Sequence, residues 1–472
     1  MNFSALAAHY ARVTPSKLHV ALPLVIMGVP HWVPPSVQNT LHVPAYAANV
    51  AGAVLGIWFA AWIGSRAGTT TRTLICMLAV ALAVSLAPAS QDAAAADTRA
   101  AMLETAEPAV LRVGAMREFK RPSAAAQIAR DGDIIEIDAG NYDGDAAVWR
   151  QHRLTIRGFG GRVHLRANNA HAEGKAIWVI KGNETTVERV EFSGAKVPDQ
   201  NGAGIRLEGA SLTVRDCYFH DNENGILSGA NPASDIVVEH SEFAHNGFGD
   251  GQTHNLYIGN VRSFTLRFSY VHHAFVGHNV KSRALRNHIT YNRIMDGKDG
   301  RSSYAVEFPN GGLALVIGNV IQQGPATENP TIVSYGAEGL QHPVNELYFV
   351  NNTVVNDRPA GGRFLFISVG ADVARIVNNV FSGRGDVLSG PGELRNNAAV
   401  AKSIFVDPTV FDYRLKGGEV AIGRGIDPGS AHGFELRPEA EYAHKAGKRP
   451  RSNMGKLDLG AFEYRPQSRS SP

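Results

Sequence analysis

Cysteine is nearly absent from this chain: there are two in 472 residues, Cys76 and Cys217. Cys76 lies in an apolar segment expected to be removed, so no internal disulfide is expected. Charge of one sign is scarce too. The 46 Lys and Arg are matched by 43 Asp and Glu, for a formal net charge of +3, and no basic run exceeds a few residues. That balance is too even to indicate a nucleic-acid binder, and none is expected as a partner. Aromatic residues make up only 8 %, whereas glycine is plentiful at 49 residues. The combination fits a turn-rich β protein better than a helical one.

Long apolar runs are confined to the N-terminal part. Residues 72–96 read "RTLICMLAVALAVSLAPASQDAAAA", in which Arg72 precedes an apolar core from Leu74 to Leu86 and the small residues Ala87-Pro88-Ala89. This is the layout of a secretory signal peptide. Upstream, residues 1–71 hold "YAANVAGAVLGIWFAAWIG", about the ~20 residues that span a bilayer. Either the true start lies downstream of residues 1–71, or the chain begins with membrane segments. A membrane contact is expected only if residues 1–71 are translated. Both readings deliver the rest of the chain out of the cytoplasm, to the periplasm or the medium. The domain is expected over 97–464, with a disordered tail at 465–472.

From about residue 150 the chain repeats. Short apolar strands such as "LTVRDCYFHDN", "IVVEHSEFAHN" and "LYFVNNTVVN" end in Asn or a small polar residue, followed by an apolar pair. The matching apolar positions are Phe192, Phe219, Phe243, Val271, Ile294, Ile321, Val354 and Phe381, with gaps of 23 to 33 residues. Such a period of short strands and Gly/Asn turns means a solenoid. No stretch of helical period occurs inside a unit, so helical repeats are excluded. The expected fold is all-β, a right-handed parallel β-helix with one coil per repeat. The corner residues Asn292, Asn319, Asn352 and Asn379 are expected to take left-handed geometry and to bond one another up the stack. Before the repeat, Ser123 to Arg130 reads as a short N-terminal capping helix over the open end of the first coil. From about 110 to 464, including the "GAFE" ending, the chain resembles the pectate-lyase-like right-handed β-helix superfamily.

A second column of inward residues, Ile205, Ile226, Leu256, Val280, Val306 and Val333, aligns one strand of each coil. Strand alternation then turns Arg206, Leu227, Tyr257, Lys281, Glu307 and Ser334 outward. The column before it would hold Asn255 and Asn279, with Arg283 two residues on and His254 and His278 at strand entry. Arg286 lies near in sequence. The stretch "VKSRALRNHITYNRI" is similar to the lysine-bearing coil of the β-helical alginate and dermatan lyases, polysaccharide lyase family six. That resemblance implies a lysine, here Lys281, that removes the C5 proton of a uronic acid. The family's acidic calcium ligands fall on Val276 and Ala274, and its next-coil arginine is replaced by Glu307. No cofactor or metal is therefore expected; calcium, if used, has no ligand that the sequence identifies.

β-Elimination needs a neutralised C6 carboxylate, a base at C5 and a proton for the departing O4. Lys281, His254, Tyr257 and His278 are the candidate catalytic groups. The candidate substrate-binding groups are Arg283, Asn255, Asn279, Glu307, Arg206 and Arg286. The reading is an exported polysaccharide lyase acting on an acidic, uronate-containing polymer, with no protein partner implied. A uronate C5-epimerase would use nearly the same residues. An inverting glycoside hydrolase would need a second carboxyl among Glu307, Asp250, Asp296 and Glu338. A non-catalytic polysaccharide-binding β-helix would need none of this chemistry. "HDNENG" and "DGKDG" read as surface turns, and Cys217 as a small core residue.

Overall fold

A strand of three to five residues cannot bury its apolar face alone. Stacked in register on identical neighbours, it buries one side continuously. The computed structural model describes residues 107–417, 420–452 and 455–466. The expected signal peptide, the upstream segment 1–71 and residues 467–472 of the expected tail lie outside the described residues. Among the described residues no helix is long and apolar enough to cross a membrane.

Before strand Ala176–Ile180 one long strand such as Thr155–Arg166 serves two of the stacks; from Ala176–Ile180 onward each coil contributes three strands. One belongs to a ten-stranded sheet that runs from Ala147–Trp149 to Asp386–Ser389 with every neighbour parallel. A second joins a stack of longer strands such as Val261–Arg267 and Arg286–Thr290, and a third a stack of shorter ones such as Glu242–Ala244 and Tyr270–His272. This is the parallel β-helix expected from the repeat, with ten coils.

Both apolar columns fall in register. Phe192, Phe219, Phe243, Val271, Ile294, Ile321, Val354 and Phe381 pair one above another without a slip. Ile205, Ile226, Leu256, Val280, Val306 and Val333 do the same in the ten-stranded sheet. Phe192, Phe219 and Phe243 stack with centroids 4.9 and 4.7 Å apart, close to the strand spacing of about 4.8 Å. Cys217 is buried among them, and burial pushes its thiol up to about 12. The capping helix runs Pro122–Ile128 and places Ala125 and Ala126 in the core. Beyond the last coil the chain folds back. Phe405, Tyr413, Ala461 and Phe462 pack on Val320, Val355 and Val380 of the short-strand stack.

The corner asparagines behave only partly as the sequence suggests. The left-handed residue is the one before each: Tyr291, Gly318, Asn351 and Asn378 have φ of 58, 66, 51 and 58°. Asn292, Asn319, Asn352 and Asn379 themselves are fully buried. Each side-chain Nδ2 donates to the Oδ1 of the next, at 3.0, 3.0 and 3.1 Å, and Asn379 continues to Asn397 at 2.9 Å. The same amides also bond backbone: Asn319 Nδ2 donates to the carbonyl of Ile289 at 2.7 Å, and its Oδ1 accepts the amide of Asn292 at 2.9 Å. Removing the Asn319 side chain strands several buried groups at once, each worth about 1–3 kcal/mol when left unpaired. Asn319→Ala is expected to lower unfolding free energy by at least ~2 kcal/mol, read by denaturant titration with circular dichroism.

Candidate functional site

In the ten-stranded sheet Tyr257 pairs with Lys281 and Lys281 with Glu307, one residue per coil on the outward side. Arg206 and Leu227 precede them in the same column and Ser334 follows. Strand alternation positions these side chains, and the inward partners Leu256, Val280 and Val306 are fully buried.

The charges on this face form one network. Lys281 Nζ lies 3.1 Å from Glu307 Oε2 and 3.1 Å from Glu338 Oε1. Glu338 Oε2 takes Arg283 Nη2 at 2.6 Å. Arg283 in turn donates from Nε to the Tyr257 hydroxyl at 3.0 Å and from Nη1 to Asn310 Oδ1 at 2.5 Å. On the other side Glu307 Oε2 lies 3.0 Å from His278 Nε2. Exposure divides the two carboxylates: Glu307 is 3 % exposed, whereas the Glu338 side chain is 44 % exposed, on the loop after strand Thr331–Tyr335. Burial pushes the Glu307 carboxyl up, but His278 and Lys281 outweigh it and hold it below the usual range. Glu338 is likewise held down by Arg283 and Lys281 against its burial. Opposing its own burial, Glu338 and Tyr257 raise Arg283.

Several sequence expectations need correction. Asn255 and Asn279 do not face outward. Both are fully buried, because the strands begin only at Leu256 and Val280 and alternation does not extend into the corner. They belong to a second buried ladder in which Asn246 donates to Asn255 at 2.8 Å, Asn255 to Asn279 at 2.8 Å, and Asn279 to Asp296 at 3.2 Å. His254 is also interior, at 1 % exposure. Its Nδ1 accepts the backbone N–H of His278 at 2.9 Å, and its ring lies 4.5 Å from that of His278. Burial, with His278, Lys281 and Arg283 nearby, drives His254 well below its ordinary value. It is a neutral supporting ring, and its removal would disturb the fold. Arg286 lies on another face, paired with Ser263 and Leu313 in the long-strand stack. Asp296 is buried inside the corner, bonded to Ser302 and Thr327 at 2.8 and 3.0 Å. Arg206 stands two coils from Tyr257 in the same column, across Leu227. Tyr257, Lys281, Glu307, His278 and Arg283 do come together.

Asn310 was not singled out from the sequence, and Glu338 only as a spare carboxyl. The available signal was repeat length. The 33-residue step from Ile321 to Val354 is the longest, and its extra residues carry the Glu338 loop. A 30-residue step from Ile226 to Leu256 likewise carries the turn before His254. These two insertions lie at opposite edges of the ten-stranded sheet, one entering it and one leaving it.

A family model described as the right-handed beta helix region matches residues 156–399. The chain belongs to the right-handed beta helix family. Among solved structures, the β-helix is similar to one titled pectate lyase Pel9A, at 14 % identity and a TM-score of 0.51, covering 77 % of this chain and 98 % of that one. It also matches an alginate lyase from Paenibacillus sp. str. FPU-7, at 14 % identity and a TM-score of 0.41, over 62 % and 99 % of the two chains. At this identity the likeness is one of fold. No curated protein matches the β-helix.

The depressed Glu307 carboxyl makes a stability prediction. Its folded pKa lies below the unfolded value of about 4.3, so its contribution is complete above that value and lost as pH falls through the folded one. The unfolding free-energy gap between wild type and Glu307→Gln should shrink as pH falls from about 5 to about 3. Urea titrations across that range measure it; a gap that does not shrink would contradict the ion pairing.

Proposed function

We propose that this protein is a polysaccharide lyase that cleaves a uronic-acid-containing polymer by β-elimination. The observation that carries the reading is the Lys281–Arg283 pair bridged by the carboxylate of Glu338. A mobile-length side chain on a loop there occupies the place a uronate carboxylate would take. The sheet holds the two cations, and Glu307 anchors Lys281 from beneath. When substrate displaces Glu338, its C6 carboxylate lies between ammonium and guanidinium, the groups that best stabilise the second negative charge formed on losing the C5 proton.

Lys281 is a poor choice of base, because two carboxylates share its ammonium. This revises the role that the family-six resemblance implies. Tyr257 is the better choice. Arg283 Nε–H already points at its hydroxyl oxygen and would stabilise negative charge there. As the phenolate, Tyr257 takes the C5 proton. The C4–O4 bond then breaks to leave a C4=C5 double bond, and the same hydroxyl returns the proton to O4, so Tyr257 ends as it began. His278 and buried His254 position Glu307 and through it Lys281.

An inverting hydrolase fits less well. Its two carboxyls stand about 6.5–9.5 Å apart, whereas Glu307 Oε2 and Glu338 Oε1 are both 3.1 Å from one nitrogen. A C5-epimerase would share the proton-abstracting half of the site.

Release of an ultraviolet-absorbing unsaturated uronate from a panel of uronate polysaccharides tests the reading. Tyr257→Phe should lower kcat by about 10²–10⁴-fold. Lys281→Ala should raise KM and lower kcat together. Glu338→Gln should leave kcat measurable and lower KM, since the cations are then uncontested. New reducing ends without unsaturated product, abolished in Glu338→Gln, would mean hydrolysis instead. Because Val276 and Ala274 stand where family-six calcium ligands would be, activity should not need calcium after exhaustive chelation. Loss that calcium alone restores would overturn that part.

A further inference from the structure

The short-strand stack carries a second cluster of chemistry-bearing side chains, away from the Lys281 column. His245 follows strand Glu242–Ala244, and His272 and His273 end and follow the paired strand Tyr270–His272 one coil on. One nitrogen from each ring lies within 4.8 Å of the other two. His272 Nδ1 and His273 Nδ1 face each other at 2.7 Å.

Proton accounting makes this arrangement informative. His272 Nε2 lies 3.2 Å from Glu242 Oε1, and His273 Nε2 lies 3.3 Å from Asp299 Oδ1. A carboxylate accepts, so each Nε2 carries the ring proton when the ring is neutral. Both Nδ1 atoms then present lone pairs to one another at hydrogen-bond distance. In that tautomer the contact is repulsive unless a metal ion or a proton lies between the two nitrogens; moving the His273 proton to Nδ1 relieves it only by giving up the N–H to Asp299. The outer nitrogens held by carboxylates are the arrangement that orients metal-binding histidines. Convergence of a third imidazole, from His245, is unnecessary for sharing a proton but completes a metal's ligand set.

We propose that His245, His272 and His273 form a binding site for a first-row divalent transition metal, zinc foremost, with Glu242 and Asp299 holding the outer nitrogens. Imidazole donors suit zinc, nickel and copper rather than calcium or magnesium. With Zn–N bonds of about 2.0–2.1 Å in a tetrahedron, ligand nitrogens stand roughly 3.3 Å apart, so the Nδ1 pair opens by about half an ångström on binding. His245 is exposed and His273 lies just past the end of strand Tyr270–His272, so both rings can follow. Three ligands leave a fourth position for water. The metal would clip two adjacent coils at the corner from which residues 273–279 lead into strand Val280–Ser282.

The neighbouring group His164, Glu191 and His220 differs in kind. There Glu191 Oε1 lies 3.3 Å from His164 and 3.1 Å from His220, whose other nitrogen meets Asp221 at 2.6 Å. His220 is raised to about 9 by Asp221 and Glu191 in spite of its burial. It is an ion pair and serves as an internal control.

Calorimetric titration of zinc chloride into chelator-treated full chain tests the proposal, with cobalt as a visible-absorbing probe. One equivalent should bind, with cobalt absorption in the visible range from nitrogen ligation and a rise in Tm. His245→Ala, an exposed position, and His273→Ala should each weaken binding at least 10-fold. Glu242→Gln should cost about 10–100-fold, and His164→Ala should leave the affinity unchanged. Absence of stoichiometric zinc binding, or binding that survives His245→Ala and His273→Ala unweakened, would overturn the proposal.

Discussion

A buried side-chain amide has two donors and an acceptor, and each must find a partner or cost free energy. In this solenoid the corner asparagines meet that demand by donating to a backbone carbonyl of the preceding coil and to the side-chain oxygen of the next asparagine in the line. Asn292, Asn319, Asn352, Asn379 and Asn397 form one such line, and Asn246, Asn255 and Asn279 another. The ladder fixes where each coil turns. Because a slip of one residue would reverse every side chain in a strand, the corner also fixes which residues face out. The placement of Tyr257, Lys281 and Glu307 above one another therefore depends on amides that never meet solvent.

Much of this was legible in the sequence, for a physical reason. Inside a strand, side chains alternate with period two, and the two apolar columns could be laid over each other from spacing alone. The outward column from Arg206 to Ser334 follows directly. Alternation stops where the strand stops, which is why Asn255, Asn279 and His254 were expected outward and lie inside. A polar residue at strand entry looks the same in sequence whether it faces water or a buried ladder. Arg286 misled for a related reason: a coil changes face within three residues of Ser282, and Ala284 and Leu285 give no turn signal. The left-handed corner residue was misplaced by one: asparagine is the side chain that accepts that geometry most readily, which points to Asn292, whereas the fold imposes it on Tyr291 just before.

Contacts made across coils from loops are the least legible part. Glu338 reaches Lys281 over 57 residues of chain, and only the length of its coil marks it. Loops inserted at the edges of a repeat are free to vary without disturbing the ladder, so a solenoid acquires function there at little cost to its fold. The rigid sheet supplies cations at a fixed spacing, and the edge loop supplies the group that modulates them.

Charge balance on this face narrows what it can receive. Lys281 and Arg283 are offset by Glu307 and Glu338. Glu307 lies beneath Lys281 at 3 % exposure and cannot leave without uncovering a buried ion pair, a loss that is strongly destabilising. Glu338 is nearly half exposed on its loop and can. The network thus holds one fixed anion and one exchangeable anion. A neutral sugar entering here would have to break the Glu338 contacts and return nothing for them, whereas a carboxylate replaces them one for one. Under the proposed function, the same two contacts of Glu338 favour an acidic ligand over a neutral one.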